Sequence, residues 1–269
     1  MKRDLKIILT LLLALALVFC TACTGGSNEP QPDPSPAPEP APEPEPEPEP
    51  LPDYSAYNAE AEKAYREALQ TFVDLGELPG GGEPIYYSGY EDGEWSDLYA
   101  ILDIDGDGKD ELVMRIAATT MASMQENIYA YDEETGELVQ ELWAFPVCDY
   151  FMDGLAVKSG WSHGTGTESD DFWPFNAFTY NPDTDEYELA GYASQYYLPL
   201  MQETERADQF PAEADEDGNG IVYEISDGVN SPYLVDDEAY MIWYGDVLGW
   251  APPMDMPWKT MDEFIHPNG

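Results

Sequence analysis

The sequence is poor in cysteine, in histidine and above all in positive charge. Among 269 residues there are three Cys, two His and 10 Lys or Arg, against 55 Asp or Glu, for a formal net charge of −45. Cys20 and Cys23 lie close to the N-terminus, so Cys148 stands alone in the rest of the chain. One thiol cannot close an internal disulfide, which excludes a disulfide-stapled scaffold. The expected role of Cys148 is that of a small buried side chain, not a nucleophile. The scarcity of Lys and Arg excludes a nucleic-acid interface, because the phosphate backbone would be repelled. No H-E-x-x-H, Walker loop or dinucleotide fingerprint occurs. Beyond residue 23 no stretch is apolar for long enough to cross a bilayer.

What is present begins with "MKRDLKIILTLLLALALVFCTAC". Lys2, Arg3 and Lys6 precede an uncharged, almost wholly apolar run from Ile7 to Phe19. Thirteen residues match a signal-peptide core and are too short for a membrane span. Residues 1–22 are therefore expected to be a signal peptide. As a bare pattern "CTAC" is also a C-x-x-C pair, but Cys20 would leave with that peptide. Cleavage by an ordinary signal peptidase, giving a secreted protein, is the alternative. Residues 24–52 alternate Pro and Glu with no apolar positions from which to build a core. Such a segment favours an extended, polyproline-like chain; from Glu29 to Pro52 it would reach on the order of 75 Å. It reads as a stalk, so that residues 23–52 form a tether and residues 53–269 a single acidic domain. That domain carries 47 acids against seven Lys or Arg, a formal charge of −40. Its frequent aromatics separate it from acidic disordered tails.

The pattern within 53–269 predicts an α+β fold. Ala61, Ala64, Tyr65, Ala68, Leu69, Phe72 and Val73 recur at helical spacing. "ELPGGGEP" then breaks the helix. Strand-like runs follow at 95–102, 111–118, 128–131, 138–144, 155–158, 177–180 and 187–189. Turn-forming stretches such as "DEETGE" and "NPDTDE" separate them. Short turns between successive strands predict an antiparallel meander. "DDEAYMIWYGDVLGW" and "WKTMDEFI" predict helices near the C-terminal end.

The densest chemistry lies in "LDIDGDGKDEL", residues 102–112. Counted from Asp103, positions 1, 3 and 5 are Asp103, Asp105 and Asp107. Position 6 is Gly108, position 7 is Lys109 and position 9 is Glu111. Calcium takes six to eight hard oxygens, and alternate side chains of a tightly curled loop can point inward together. Gly108 permits the sharp turn, and Lys109 would offer its backbone carbonyl. An EF-hand also needs an acid at position 12 and flanking helices. Here position 12 is Met114, and the flanks "LYAIL" and "ELVMRIA" are rich in strand formers. The expectation is a calcium loop inside a β-hairpin. "DEDGNG" is a weaker copy in which Asp215, Asp217 and Asn219 occupy positions 1, 3 and 5. Its position 9 is Tyr223, and it reads as a turn that could hold a second ion.

Two resemblances follow from these residues. Thr21-Ala22-Cys23 resembles the lipobox of bacterial lipoproteins, with Cys20 where Leu or Val is more usual; it implies a lipid anchor on Cys23 and an extracytoplasmic position. The D-x-D-x-D-G-x-x-E string from Asp103 to Glu111 resembles the calcium hairpin of FG-GAP and integrin-type repeats, with Glu111 in place of the last Asp. It implies a site rather than a propeller. Lipobox, Pro-rich stalk and "LYAILDIDGDGKDELVM" together resemble a group of poorly characterised bacterial lipoproteins; the resemblance implies an α+β surface domain and carries no known catalytic residues.

A catalyst is weakly signalled. "GWSHG" satisfies the G-x-S-x-G nucleophile-elbow pattern, with Ser162 and His163 as candidates. The helix that should follow is replaced by "TGTESDDFWPF", and βα alternation is absent. Acid pairs such as Asp170–Asp171 are expected by chance among so many carboxylates. The leading expectation is a calcium-stabilised surface module, joined to the membrane only through its lipid. It would bind a polysaccharide, peptide or protein ligand. An extracytoplasmic hydrolase using Ser162 or an acid pair, and a structural envelope protein, are the alternatives.

Overall fold

The computed structural model describes residues 52–85, 96–161, 163–228 and 230–266. The first element is helix α1, Ser55–Leu75. Strands β1 (Leu98–Leu102), β2 (Glu111–Ile116), β3 (Gln125–Asp132) and β4 (Glu137–Ala144) follow. Next come β5 (Asp149–Phe151), β6 (Ala156–Gly160), β7 (Phe175–Asn181) and β8 (Glu186–Tyr197). The remaining elements are α2 (Leu198–Glu203), β9 (Ile221–Asp227), β10 (Tyr233–Val235), α3 (Asp237–Leu248), β11 (Lys259–Thr260) and α4 (Met261–Ile265). The strands form two antiparallel sheets, β11-β1-β2-β3-β4 and β10-β9-β8-β7-β6-β5. The fold is α+β, with a meander in each sheet and β11 returning to the edge of the first.

Helix α1 contains no Gly or Pro, and Tyr57, Ala61, Tyr65, Leu69 and Phe72 make one buried stripe along it. The stripe packs on Tyr99, Leu112, Met114, Ile116 and Tyr129 of the first sheet. Gly76 ends the helix in the left-handed region, at φ 72°, and its N–H donates to the Phe72 carbonyl at 2.8 Å. Any side chain there would collide with the Ile85 carbonyl, so glycine is required. The other face of the first sheet presents Ala100, Val113, Ile128, Leu142 and Ala144 to Val157, Phe178 and Tyr187 of the second. On the far side of the second sheet, α3 lays Tyr240, Trp243 and Leu248 on Phe175, Ala177, Ala193 and Ile225. The layers thus run α1, first sheet, second sheet, α3. All six residues of β2 are buried because the strand is central and covered on both faces.

A buried charge pair sits between the layers. Arg115 Nε donates to Glu126 Oε2 at 2.7 Å, and the Tyr150 hydroxyl donates to Glu126 Oε1 at 2.6 Å. Arg115 Nη2 reaches the Cys148 carbonyl at 3.2 Å, and the Trp258 ring covers the guanidinium at 4.4 Å. Cys148 is buried and unpaired with any other cysteine; burial pushes its thiol well above the usual range.

Two β-bulges break the alternation of the sheets. In β3–β4, Ile128 pairs with Leu142 and Tyr129 with Gln140, so Glu141 is an extra residue. In β7–β8, Ala177 pairs with Gly191 and Phe178 with Leu189, leaving Ala190 extra. Among the described residues no helix is long and apolar enough to cross a membrane. The N-terminal expectations, Cys23 included, lie outside the described residues.

Candidate metal centre

The acidic loop joins two directly paired strands, with Leu102 of β1 opposite Glu111 of β2. Its curl is held by its own carboxylates. Asp103 Oδ1 accepts the Gly106 N–H at 2.8 Å and Oδ2 the Gly108 N–H at 3.0 Å. Asp105 Oδ1 accepts the Asp107 N–H at 3.1 Å, and Asp107 Oδ1 accepts the Lys109 N–H at 2.7 Å. Gly106 and Gly108 take φ values of 80° and 96°, which explains glycine at both positions. Helix α1 grips the outside of the loop. Asn58 Nδ2 donates to the Gly108 carbonyl and Asn58 Oδ1 accepts the Asp110 N–H, while the Tyr65 hydroxyl donates to the Asp110 carbonyl at 2.7 Å.

Asp103, Asp105 and Glu111 each place a carboxylate oxygen within 4.8 Å of the others, an arrangement that could hold a metal ion. No other such group of three His, Cys, Asp or Glu side chains occurs among the described residues. Asp107, the third acid of the spacing, stands apart from that trio; its Oδ2 pairs with Lys109 Nζ at 3.0 Å. The Lys109 ammonium also lies over the rings of Tyr54 and Tyr57, at 5.8 and 5.6 Å. The lysine therefore contributes a side-chain clasp that the spacing alone did not suggest.

The electrostatics of the cluster are those of crowded acids. Glu111 is 3% exposed, and its Oε2 accepts the Ile104 N–H at 2.9 Å. Burial, reinforced by the charges of Asp105, Glu141 and Asp107, pushes its carboxyl up to about 10. Burial likewise raises Asp105, although a hydrogen bond with Tyr180 works the other way. Asp110 is raised by burial and by Asp103. A cation among these groups would remove the repulsion that holds protons on them.

Two further acids of this region were not legible as site residues. Asp185, in the β7–β8 turn, accepts the Tyr180 hydroxyl at 2.6 Å. Glu141, the bulged residue of β4, is 5% exposed, and burial with Asp185 and Asp105 nearby pushes its carboxyl to about 8. The one available signal was an acid inside "ELVQELWA", where the inward positions change phase between Leu138 and Leu142. A cleft of about 660 Å³ opens beside the loop, lined by Asp105, Asp107, Lys109, Tyr180, Asp185 and Asp246 among others.

The other expected residues are placed differently. In the second acidic loop Asp215 accepts the Gly220 N–H at 3.2 Å, Asp217 accepts the Asn219 N–H at 3.0 Å, and Asn219 Oδ1 accepts the Ile221 N–H at 2.7 Å. These bonds close a turn that leads into β9. Ser162 lies outside the described residues, and His163 is exposed. Beneath α3, Phe175 and Trp243 belong to the core, while elsewhere Trp173 and Trp250 are 56% and 68% exposed. No family model, curated protein or solved structure matches the chain.

Proposed function

We propose that this chain is a lipid-anchored extracytoplasmic surface protein whose domain is stabilised by a calcium ion in the 103–111 loop and binds a ligand outside the cell. The observation that carries the metal part is the convergence of Asp103, Asp105 and Glu111 within 4.8 Å at the end of one hairpin. Every side-chain donor in that set is a hard carboxylate oxygen, which suits calcium and not the softer transition metals. Three acids held that close are costly in an empty loop and favourable around a divalent cation. The Lys109 carbonyl would enter the shell, and Asp107 would do so by giving up its ion pair with the Lys109 ammonium, with water filling the rest. The same arrangement supports the likeness to the FG-GAP hairpin.

The anchor reading rests on the sequence from Lys2 to Cys23 and on the Pro-Glu stalk that follows. Two acyl chains on a cysteine make a stable attachment, whereas one would be marginal. The ligand would be a polysaccharide, a peptide or a protein, and the strong negative charge of the domain disfavours nucleic acid. The decisive experiment is thermal unfolding of the full chain in calcium and in chelator. A calcium-dependent midpoint whose shift is reduced in Asp105→Asn supports the reading. Identical midpoints in both solutions refute it.

A further inference from the structure

The bulge in β4 places a charged side chain where the layered core offers it nothing. Glu141 is 5% exposed, yet its Oε2 has no hydrogen-bond partner among the described residues. Without the bulge, strand alternation would carry Glu141 to the opposite face of the sheet from Leu142. With it, Glu141 and Leu142 are buried side by side, and Leu142 belongs to the layer between the sheets. Bulges re-aim side chains in this way beside functional sites. In the pairing register Glu141 lies level with Tyr129 and Ile128 of β3, which pair with Leu112 and Val113 of β2, so it stands two strands from the hairpin end at Glu111; besides burial, the charges of Asp185, Asp105 and Asp107 also raise its carboxyl. Glu111, the innermost of the three clustered acids, feels Glu141 next after Asp105. A buried carboxyl group with a vacant oxygen is among the costlier arrangements a core can hold. A cation on the far side of that oxygen would relieve it.

We infer that Glu141 completes the cation site of the 103–111 loop: its unpartnered Oε2 accepts a hydrogen bond from a water bound to the divalent ion held by Asp103, Asp105 and Glu111. This rests on the calcium reading above and adds to it a residue 30 positions beyond Glu111, from a strand that the loop motif does not contain. Calcium takes about six to eight oxygens, so three carboxylates leave several positions for water and backbone carbonyls. Groups that hold metal-bound water in this manner orient the inner ligands and tune the affinity. The ion would then link the β1–β2 hairpin to β4, across β3. Glu141 would act as a positioning residue, not as a direct ligand.

The test is calcium titration calorimetry on the full chain in detergent, comparing wild type, Glu141→Gln and Glu141→Leu, with a melt of each in chelator. Leucine removes the acceptor and glutamine retains an amide oxygen. The expected result is a Kd weakened about tenfold or more in Glu141→Leu and less in Glu141→Gln. In chelator both variants should melt at or above the wild-type midpoint, because a vacant buried carboxylate has been removed. Variants that bind calcium within about twofold of wild type overturn the inference while leaving the calcium loop standing. A chelator midpoint lowered in both variants also overturns it, since Glu141 would then support the apo fold. Wild type that takes up no calcium overturns this inference and the underlying reading together.

Discussion

Removal of calcium should lower the unfolding midpoint by an amount that can be worked from the site. Extracellular oxygen-ligand modules hold calcium with dissociation constants of about 10⁻⁴ to 10⁻³ M. At the tighter end, about 10 mM free calcium is roughly 100 times Kd and stabilises the native state by about 2.7 kcal/mol. For a domain of this size each kcal/mol moves the midpoint by about 2–4 °C, so the shift should be about 5–10 °C. Asp105 is the informative position. It belongs to the three-acid cluster, borders the cleft and touches Tyr180 of the second sheet. Asp105→Asn preserves shape and removes one ligand charge; a tenfold weaker site would retain only about 1.4 kcal/mol of the stabilisation. Magnesium at the same concentration should shift the midpoint less, because it demands octahedral geometry and gives up water reluctantly. Scanning calorimetry with and without chelator reads all three. Equal wild-type midpoints in calcium and chelator, or an Asp105→Asn shift as large as that of wild type, would refute the reasoning.

Three other outcomes are expected. Cys23→Ser should move the protein from the membrane to the soluble fraction and abolish incorporation of labelled fatty acid; unchanged membrane association would defeat the anchor. Arg115→Ala leaves Glu126 buried without its counter-charge and should cost about 3–5 kcal/mol in urea unfolding, and a loss under about 1 kcal/mol would show that the pair is not the keystone of the inter-sheet layer. Glu168 is held below the usual carboxylate range: burial works against this, but hydrogen bonds from Thr165 and the Gly166 N–H outweigh it. Its stabilisation should be complete above its unfolded value of about 4.5 and should fade as pH falls through the lower folded value. Glu168→Gln should therefore be less stable than wild type at neutral pH, with the difference closing in acid; a difference constant with pH would assign the effect to packing.

Much of the secondary structure was legible because it follows local periodicity. Ala61, Tyr65, Leu69 and Phe72 announce the buried stripe of α1 by spacing alone. The runs at 111–118 and 138–144 coincide with β2 and β4, which are bounded by evident turns. Strand β8 was harder. Only 187–189 stands out, yet the strand runs from Glu186 to Tyr197 through Gly191, Ala193 and Ser194, small residues with weak strand preference. Their small size suits them to lie beneath α3, where Trp243 comes close to Gly191. Strands β5, β10 and β11 are only two or three residues long, too short to carry a periodic pattern, and β9 lies outside the runs the pattern predicts. The segment 258–265 reads as one helix, but Lys259 and Thr260 pair with β1 and Thr260 then caps α4. Its hydroxyl accepts the Glu263 N–H, a local bond that the Thr-x-x-Glu pattern could have disclosed.

At the acidic loop the spacing brings Asp103, Asp105 and Glu111 together because the short loop 103–110 joins directly paired strands, whereas the spacing did not show that Asp107 pairs with the Lys109 ammonium. The sequence by itself therefore determined the charge of the domain, the antiparallel local connections and the acidic hairpin, all of which depend on neighbours along the chain. The tertiary structure alone decided that the meander divides into two sheets packed face to face, that Asn58 and Tyr65 of α1 clasp the loop, and that the bulge in β4 buries Glu141 beside Leu142. Those features depend on residues far apart in the chain, brought together by sheet packing, and on one unpaired residue in a strand. No local pattern encodes them, because the free energy that fixes them is gained only when the layers close.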